Sequence, residues 1–390
     1  MNDEHQGDLL SDVEAFCEEI RPTEELCYLE HRFNDSAIEL ARKYRLLGMP
    51  FATQYGGRGA SLEDYLAAIT RIGREGSGLR TLFSGHTSIG AYPVARFGNE
   101  TQKQAYLVPA CRGDKIMAFA LTEPEAGSNP LEMQMTYRRE GDVFILNGVK
   151  YLISNGGIAN AIVVFAYPEQ EGGRISAFII DTDEDSFEQE EMTAKVGLPT
   201  SNTAMFELTD HAVPVGNLVG EEGDGFRIAM ATLESGRLSV AAGCLGVIED
   251  CLAETIDYSL KRHQHGKPIA RHQLIQDHLA QIELARITTA SVLDQAVIAR
   301  IKSTAAPGDR QLQDESDLLV AEAKFIASNA AFDAADRAVQ VFGGRGYSQL
   351  FRPARHWADV RVCRIYEGTD EIIKLKIAAA LLGKENSAFQ

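Results

Sequence analysis

The sequence predicts an α+β protein, mainly helical, that runs helix, then β, then helix. Three observations predict it. Apolar residues recur at helical spacing before about residue 115 and again after about 222. Between these stretches lie short runs rich in β-branched and aromatic residues, bounded by Gly, Asn and Asp. At 390 residues the chain is long enough for two or three cores. The expected units are therefore an N-terminal helical domain over 1–115, a central β-barrel or sandwich over 116–222, and a C-terminal helical bundle over 223–390.

The elements follow in order. Within 8–48, Ala37, Leu40, Ala41, Tyr44 and Leu47 fall on one side of a helix that Gly48-Met-Pro50 stops. Gln54-Tyr-Gly-Gly-Arg-Gly59 is glycine-rich, but no strand leads into it and it lacks the Lys-Ser/Thr ending of a P-loop. It reads as a turn between helices. Helical patterns resume over Leu62–Arg74 and Leu79–Phe97. Strand signals occupy Asp142–Lys150, Ala161–Ala166 and Ile175–Ile180, with similar texture from Ser201 to Val219, spaced as in a small antiparallel barrel or sandwich. Gly220-Glu-Glu-Gly-Asp-Gly225 breaks the pattern. Long amphipathic stretches then run to Leu382, interrupted by a loop over Ser303–Gln313. No repeat of solenoid period is present. The lack of alternating β-α units argues against a Rossmann domain and a nicotinamide enzyme of the usual kind.

Composition removes further classes. The net charge of −18 opposes nucleic-acid binding, while leaving room for a local basic pocket that takes a phosphorylated ligand. No apolar run approaches bilayer length, so no membrane insertion is expected. The six cysteines, at 17, 27, 111, 244, 251 and 363, form no CxxC pair and read as free thiols in a reducing compartment. No His/Cys spacing suggests a metal. The acidic, polar N-terminus lacks secretory and mitochondrial signatures, and a cytoplasmic location is the expectation.

Five short segments carry candidate chemistry. Phe119-Ala-Leu-Thr-Glu-Pro-Glu-Ala-Gly-Ser-Asn129 ends a strand and leaves amides and a hydroxyl free to meet a ring edge bearing carbonyls. Lys150-Tyr-Leu-Ile-Ser-Asn-Gly156 offers a hydroxyl at Ser154. Leu233-Glu-Ser-Gly-Arg237 sets an arginine near an expected helix start, where the dipole disfavours it without an anionic ligand; a surface pair with Glu234 is the plainer alternative. Arg262-His-Gln-His-Gly-Lys267, followed by His272-Gln273, offers an arginine suited to phosphate. Gln340-Val-Phe-Gly-Gly-Arg-Gly-Tyr347 allows close backbone approach. Beyond these, Arg364-Ile-Tyr-Glu-Gly-Thr-Asp-Glu-Ile372 places Glu367 beside a glycine. A carboxylate there can remove a weakly acidic proton if an apolar site raises its pKa.

Together, and in this order over about 30–385, the segments resemble the acyl-CoA dehydrogenase family. The resemblance implies that family's fold, with the C-terminal unit a four-helix bundle. It implies FAD as cofactor and α,β-dehydrogenation of an acyl thioester, a reaction of fatty acid metabolism. Glu367 is the implied base and sole catalytic residue of the pattern, because the position at which some members carry the base is Gly236 here. The implied FAD contacts are Phe119, Leu121, Thr122, Ser128, Leu152, Ser154, Arg262, Gln264, Gln273, Gln340, Gly343, Gly344, Thr369 and Glu371. The implied substrate contacts are Ser128, Glu234, Arg237 and Gly368. The chain departs from the pattern at Asn129, where an aspartate is usual, at Leu152, where tryptophan is frequent, and at His265, where phenylalanine is usual. The implied partners are an acyl-CoA or acyl-carrier protein, an electron-transfer flavoprotein and further copies of the chain, as a homodimer or homotetramer. A carrier-tethered substrate, the reverse reduction and a catalytically silent flavin-binding interaction protein are the alternatives.

Overall fold

The structure is a computed structural model that describes residues 8–170, 172–183, 186–386 and 388. The N-terminal helices are α1 (Leu9–Leu29), α2 (Ser36–Lys43), α3 (Leu62–Glu75), α4 (Ser77–Ser84), α5 (Tyr92–Phe97), α6 (Glu100–Gln102) and α7 (Val108–Arg112). The expected helix over 37–47 stops early, because Arg45 turns left-handed at φ 53 and Leu46 N–H folds back to the Ala41 carbonyl at 2.8 Å. The expected Leu79–Phe97 helix is likewise divided, by a π-helical turn over Gly85–Gly90. Gln54–Gly59 is a turn, with Gly56 and Gly59 at positive φ.

The central strands are β1 (Met117–Ala120), β2 (Thr136–Glu140), β3 (Val143–Ser154), β4 (Ala161–Pro168), β5 (Ser176–Asp181), β6 (Phe187–Glu191), β7 (Thr203–Pro214) and β8 (Leu218–Val219). They pair in the order β6-β7-β3-β2-β4-β5-β8, with β1 added against β4. The sheet is mixed, not antiparallel throughout as expected: β1 and β2 both run parallel to β4. β4 is buried along most of its length, so it reads as a continuous apolar run. Ile162 and Val164 enter the core inside the β unit. Ala161, Val163 and Phe165 face a second core shared with α5, α7 and the following helix.

The C-terminal helices are α8 (Gly225–Lys261), α9 (Gln273–Ala305), α10 (Arg310–Phe342), α11 (Arg352–Val360) and α12 (Asp370–Leu382); a ribbon of β9 (His263–Gln264) and β10 (Lys267–Pro268) joins α8 to α9. Asp309 caps α10 by accepting from Gln311 N–H at 3.0 Å, which ends the loop expected near 303–313. α8 to α10, joined by α12, form the bundle. The N-terminal helices do not close a core of their own. Ile69 and Ile72 of α3 pack in one cluster with Ala242 and Val247 of α8 and Ala331 of α10. Glycines permit that approach: a Cβ on Gly73 would lie 2.6 Å from the Gly243 carbonyl oxygen. α8 thereby runs past both other units.

Candidate active site

The turn after α11 positions the carboxylate. Arg361–Arg364 forms a short helical turn, and the chain then reverses through Glu367 at φ 55 and Gly368 at φ 98. A left-handed glutamate costs about 1–2 kcal/mol, so the turn must be held from outside. Arg237 Nε donates to the Glu367 carbonyl at 2.8 Å and Lys324 Nζ to the Gly368 carbonyl at 2.7 Å. Thr369 Oγ1 accepts from Ile372 N–H at 3.3 Å, capping α12.

Held this way, the Glu367 carboxylate lies over Gly236 of α8. A Cβ at 236 would sit 2.6 Å from the carboxylate carbon, so only glycine leaves room. Oε2 of Glu367 is buried without a hydrogen-bond partner. Burial pushes the Glu367 carboxyl up to about 7, against the opposing pull of Arg237, Lys324 and Arg80 and with some help from Glu234. Glu367 and Gly236 line a cleft of about 280 Å³ together with Ser154, Arg80, Ser84 and Tyr366. Another cleft, of about 290 Å³, lies between α1 and α11 away from Glu367. Its Arg352 is paired with Asp250 at 2.8 Å and its Glu75 with Arg21 at 2.6 Å, so it is a structural seam.

Arg237 differs from the sequence expectation. It lies in the middle of α8, not near a helix start, so the dipole has no bearing on it. Nor does it form a surface pair: Arg237 and Glu234 are both buried and bonded to each other, with Lys376 Nζ 2.6 Å from Glu234.

The first two motifs meet through a buried ion pair. Lys150 Nζ donates to Glu123 Oε1 at 2.7 Å and to the Leu121 carbonyl at 3.2 Å, and burial lowers its pKa to about 8. Tyr151 N–H donates to the Thr122 carbonyl at 2.9 Å. This clamps the 121–123 loop beside the end of β3. The β3–β7 register slips between Lys150 and Ile153, and Leu152 sits there at φ 59 with its side chain 51% exposed. Its outward aim contrasts with the buried leucine an ordinary strand end would carry. Ser154 and Thr122 have no side-chain partner among the described residues. An outward apolar side chain beside free hydroxyls and a cleft fits one face and edge of a flavin ring. Phe119 and Leu121 are buried, Phe119 packing on Phe165 at 5.0 Å, so only their backbone can reach such a ring. Ser128 is exposed, and Asn129 Oδ1 accepts from Leu131 N–H at 3.2 Å, a turn-closing role that needs no charge.

The remaining residues stand elsewhere. Tyr258 stacks on Phe342 at 4.1 Å and joins the C-terminal ends of α8 and α10. Arg262, Gln264, Gln273, Gln340, Gly343 and Gly344 are all exposed near those ends, and open space surrounds Gly343 and Gly344. Arg262 forms no ion pair among the described residues. His265 lies at φ 52 with its ring 6.0 Å from that of His272. Glu371 is exposed in the first turn of α12. From Gly236 to Arg262 along α8 is ~39 Å at the helical rise. One chain therefore does not bring Arg262 to its own Glu367.

Known proteins resemble this chain along nearly its whole length. The profiles for the acyl-CoA dehydrogenase N-terminal, middle and C-terminal domains match residues 3–114, 118–211 and 223–382. A Bacillus subtilis acyl-CoA dehydrogenase is 38% identical over 367 residues, covering 94% of each chain. The chain belongs to the acyl-CoA dehydrogenase family. It is an FAD-dependent oxidoreductase acting on CH–CH groups. Among solved acyl-CoA dehydrogenases, the butyryl-CoA dehydrogenase of Megasphaera elsdenii superposes with a TM-score of 0.89 at 32% identity, covering 98% of this chain and 100% of that one. An FAD complex from Bacillus anthracis superposes with the same TM-score at 29% identity, covering 98% of this chain and 67% of that one.

In this member of the acyl-CoA dehydrogenase family, sequence reasoning missed four residues around the candidate site: Arg80, Lys150, Lys324 and Tyr366. Three are cations inside apolar patterns, as in Leu79-Arg-Thr-Leu-Phe83 and Ala323-Lys-Phe-Ile-Ala327. For Arg80 and Lys324, a charge among the apolar residues of a helix was the available signal.

Proposed function

We propose that the protein dehydrogenates an acyl thioester, acyl-CoA, between its α and β carbons. The single observation that carries this is the Glu367 carboxylate over Gly236, buried and lacking a hydrogen-bond partner on Oε2. Glu367 takes the α proton, and a carboxyl with a pKa near 7 is matched to that task at neutral pH. The Glu367 N–H has no acceptor among the described residues and is free to polarise the thioester carbonyl, which stabilises the developing enolate. Arg237 and Lys324 fix the main chain on either side, holding the base in place. Thr122, Leu152 and Ser154 would hold the ring of FAD, which when bound would supply the acceptor for the hydride leaving the β carbon.

Because Arg262 and Gly343–Gly344 lie so far from Glu367, they would hold the phosphate and adenosine end of the FAD of a neighbouring copy. A homodimer, or a tetramer of dimers, follows. The electron acceptor is an electron-transfer flavoprotein; in support, a chain 33% identical over nearly the full length was solved in work on the electron transferring flavoprotein of Acidaminococcus fermentans. Six buried, unpaired cysteines support a reducing, cytoplasmic setting.

Anaerobic titration of the yellow holoenzyme with acyl-CoAs and acyl-carrier proteins tests the reading. Bleaching of the flavin by acyl-CoA is expected. Bleaching by carrier-bound acyl groups alone would move the substrate to the carrier, and no bleaching by any thioester would end the dehydrogenase reading.

A further inference from the structure

Behind the Glu367 turn lie two buried thiols that the proposed chemistry does not use, Cys244 of α8 and Cys363 of the turn after α11. Their side chains share a hydrogen bond. Two buried cations act on the same place. Arg80, on α4, forms no ion pair with a carboxylate among the described residues, and its Nε is buried with no acceptor. It packs on α8 one residue before Cys244: a Cβ on Gly243 would lie 2.8 Å from Arg80 Nε. Its Nη2 donates to the Tyr366 hydroxyl. Because that hydroxyl accepts from Arg80, its own proton is left for the Cys363 sulfur, 3.0 Å away. Lys324, which donates to the Gly368 carbonyl, is the second cation, and its charge is coupled to both thiols.

This setting separates Cys363 from the other five cysteines. Burial pushes Cys17 and Cys111 up to about 12 and raises Cys27 and Cys251. Cys244 is raised as well, by its bond to Cys363 and then by burial. Cys363 alone is drawn down, to about 6, because the Cys244 thiol, Arg80, the Tyr366 hydroxyl and Lys324 together outweigh burial. A thiolate bonded to a protonated thiol is the pairing in which one sulfur attacks an oxidant and the other resolves the product. Tyr366, which touches the Cys363 sulfur, also lines the cleft beside Glu367. A small neutral oxidant that enters the cleft therefore has that side chain to pass.

We propose that Cys363 is a modification site for hydrogen peroxide, with Cys244 as its resolving thiol, and that the resulting disulfide reversibly slows dehydrogenation. The effect on rate rests on the proposed function; the thiol chemistry does not. The Cys363 thiolate attacks one peroxide oxygen. An S–O bond forms as the O–O bond breaks, and the hydroxide released takes up a proton from solvent to leave as water. Cys244, losing its proton, then attacks the sulfenic sulfur. The S–S bond forms as the S–O bond breaks, and the second hydroxide leaves with that proton as water. The two sulfurs give up two electrons in all, and the peroxide is reduced to two waters. The new bond removes the charge of the Cys363 sulfur, so the Tyr366 hydroxyl loses the acceptor that fixes it next to Glu367.

Peptide mass mapping tests the pair directly. Holoenzyme is exposed to hydrogen peroxide at neutral pH, quenched with catalase, and unfolded in iodoacetamide. A Cys244–Cys363 linked peptide is expected, with the other four cysteines alkylated and the link reversed by dithiothreitol. Cys363 should be consumed at least about tenfold faster than Cys17 and Cys111. In Cys244→Ser the reaction should stop at the sulfenic acid, which dimedone traps at Cys363, and in Cys363→Ser the Cys244 thiol should stay open to alkylation. Six alkylated cysteines after peroxide, or another cysteine oxidised first, would overturn the proposal and leave the pair as packing. If Cys363→Ser fails to fold, the dimedone adduct in Cys244→Ser decides. Rapid mixing with acyl-CoA then compares linked with dithiothreitol-restored protein. Flavin reduction is expected to be at least about tenfold slower in the linked form, as misplacement near a reacting group costs; an equal rate would overturn the effect on dehydrogenation. Untreated enzyme that no thioester bleaches rejects dehydrogenation itself, whereas the mass map alone judges the thiol pair.

Discussion

Glu367 is set by competition between burial and three cations. Burial wins, and the carboxyl titrates near neutrality. As the proposed base it must be ionised, so the flavin reduction rate should rise with pH and level off above an apparent pKa near 7. Rapid mixing across pH 5.5–8.5 checks this, and a flat profile would remove Glu367 from the rate-determining proton transfer. Glu367→Gln should keep flavin and thioester while losing reduction by at least about 10²–10⁴-fold, because an amide cannot accept the proton. The same group bears on stability. Its folded pKa lies above the ordinary glutamate value, so its contribution is full below about 4.5 and is lost as pH rises through about 7. Glu367→Gln should therefore raise the melting temperature at pH 8 more than at pH 5, by up to about 3 kcal/mol in stability. Unfolding curves at the two pH values measure it. Gly236 sets a further condition. Since a Cβ at 236 would overlap the carboxylate, moving the base to 236 needs residue 367 shortened. Gly236→Glu with Glu367→Gly should recover part of the reduction rate that Glu367→Gly alone abolishes; no recovery would show that the two positions do not face the same α carbon.

At the scale of elements, the proposed ring-binding edge depends on how the 121–123 loop is fastened to β3. Its two motifs are legible in the chain as separate segments, but not their attachment, since Lys150 in an alternating strand reads as an outward side chain. The structure turns it fully inward to Glu123, whose carboxylate also accepts the Met135 N–H at 3.1 Å. Lys150→Met should leave that carboxylate buried without its cation, at about 3–5 kcal/mol. It should also weaken FAD retention, because the loop it fastens carries Thr122. Calorimetry of apo and holo forms, with the FAD dissociation constant, tests both. A destabilised protein with unchanged FAD affinity would show that the pair serves the fold alone. The β-bulge at Leu152 belongs to the same scale: a register slip, not composition, makes that leucine available.

For the whole molecule, the decisive distance is the length of α8, which sets Arg262 far from Glu367 in the same chain. If the FAD site is completed by a neighbouring copy, Arg262→Ala should weaken FAD binding about tenfold to a hundredfold with little change in the stability of the apo fold. A mixing experiment is sharper. Arg262→Ala and Glu367→Gln chains, each impaired alone, should regain activity when unfolded and refolded together. Each mixed pair holds one intact site, about a quarter of all sites under random pairing in a twofold dimer. Failure to regain activity would place both residues in sites within single chains.

The order of helix, β and helix was determined by the sequence, because the periods of side-chain burial are local properties of helices and strands. So were the motifs carrying the family resemblance, down to Glu367 and the empty position at Gly236. Tertiary structure alone decided the parallel pairing of β1 and β2 with β4 and the merging of N- and C-terminal helices into one core. It also decided the mid-helix place of Arg237 and the counterion missing from Arg80. Each is settled by contacts between residues far apart in the chain, and burial of a charge has meaning only once its neighbours are known. In the sequence Arg80 is a charge set among apolar helical residues, and only packing against Gly243 and Tyr366 takes its water away.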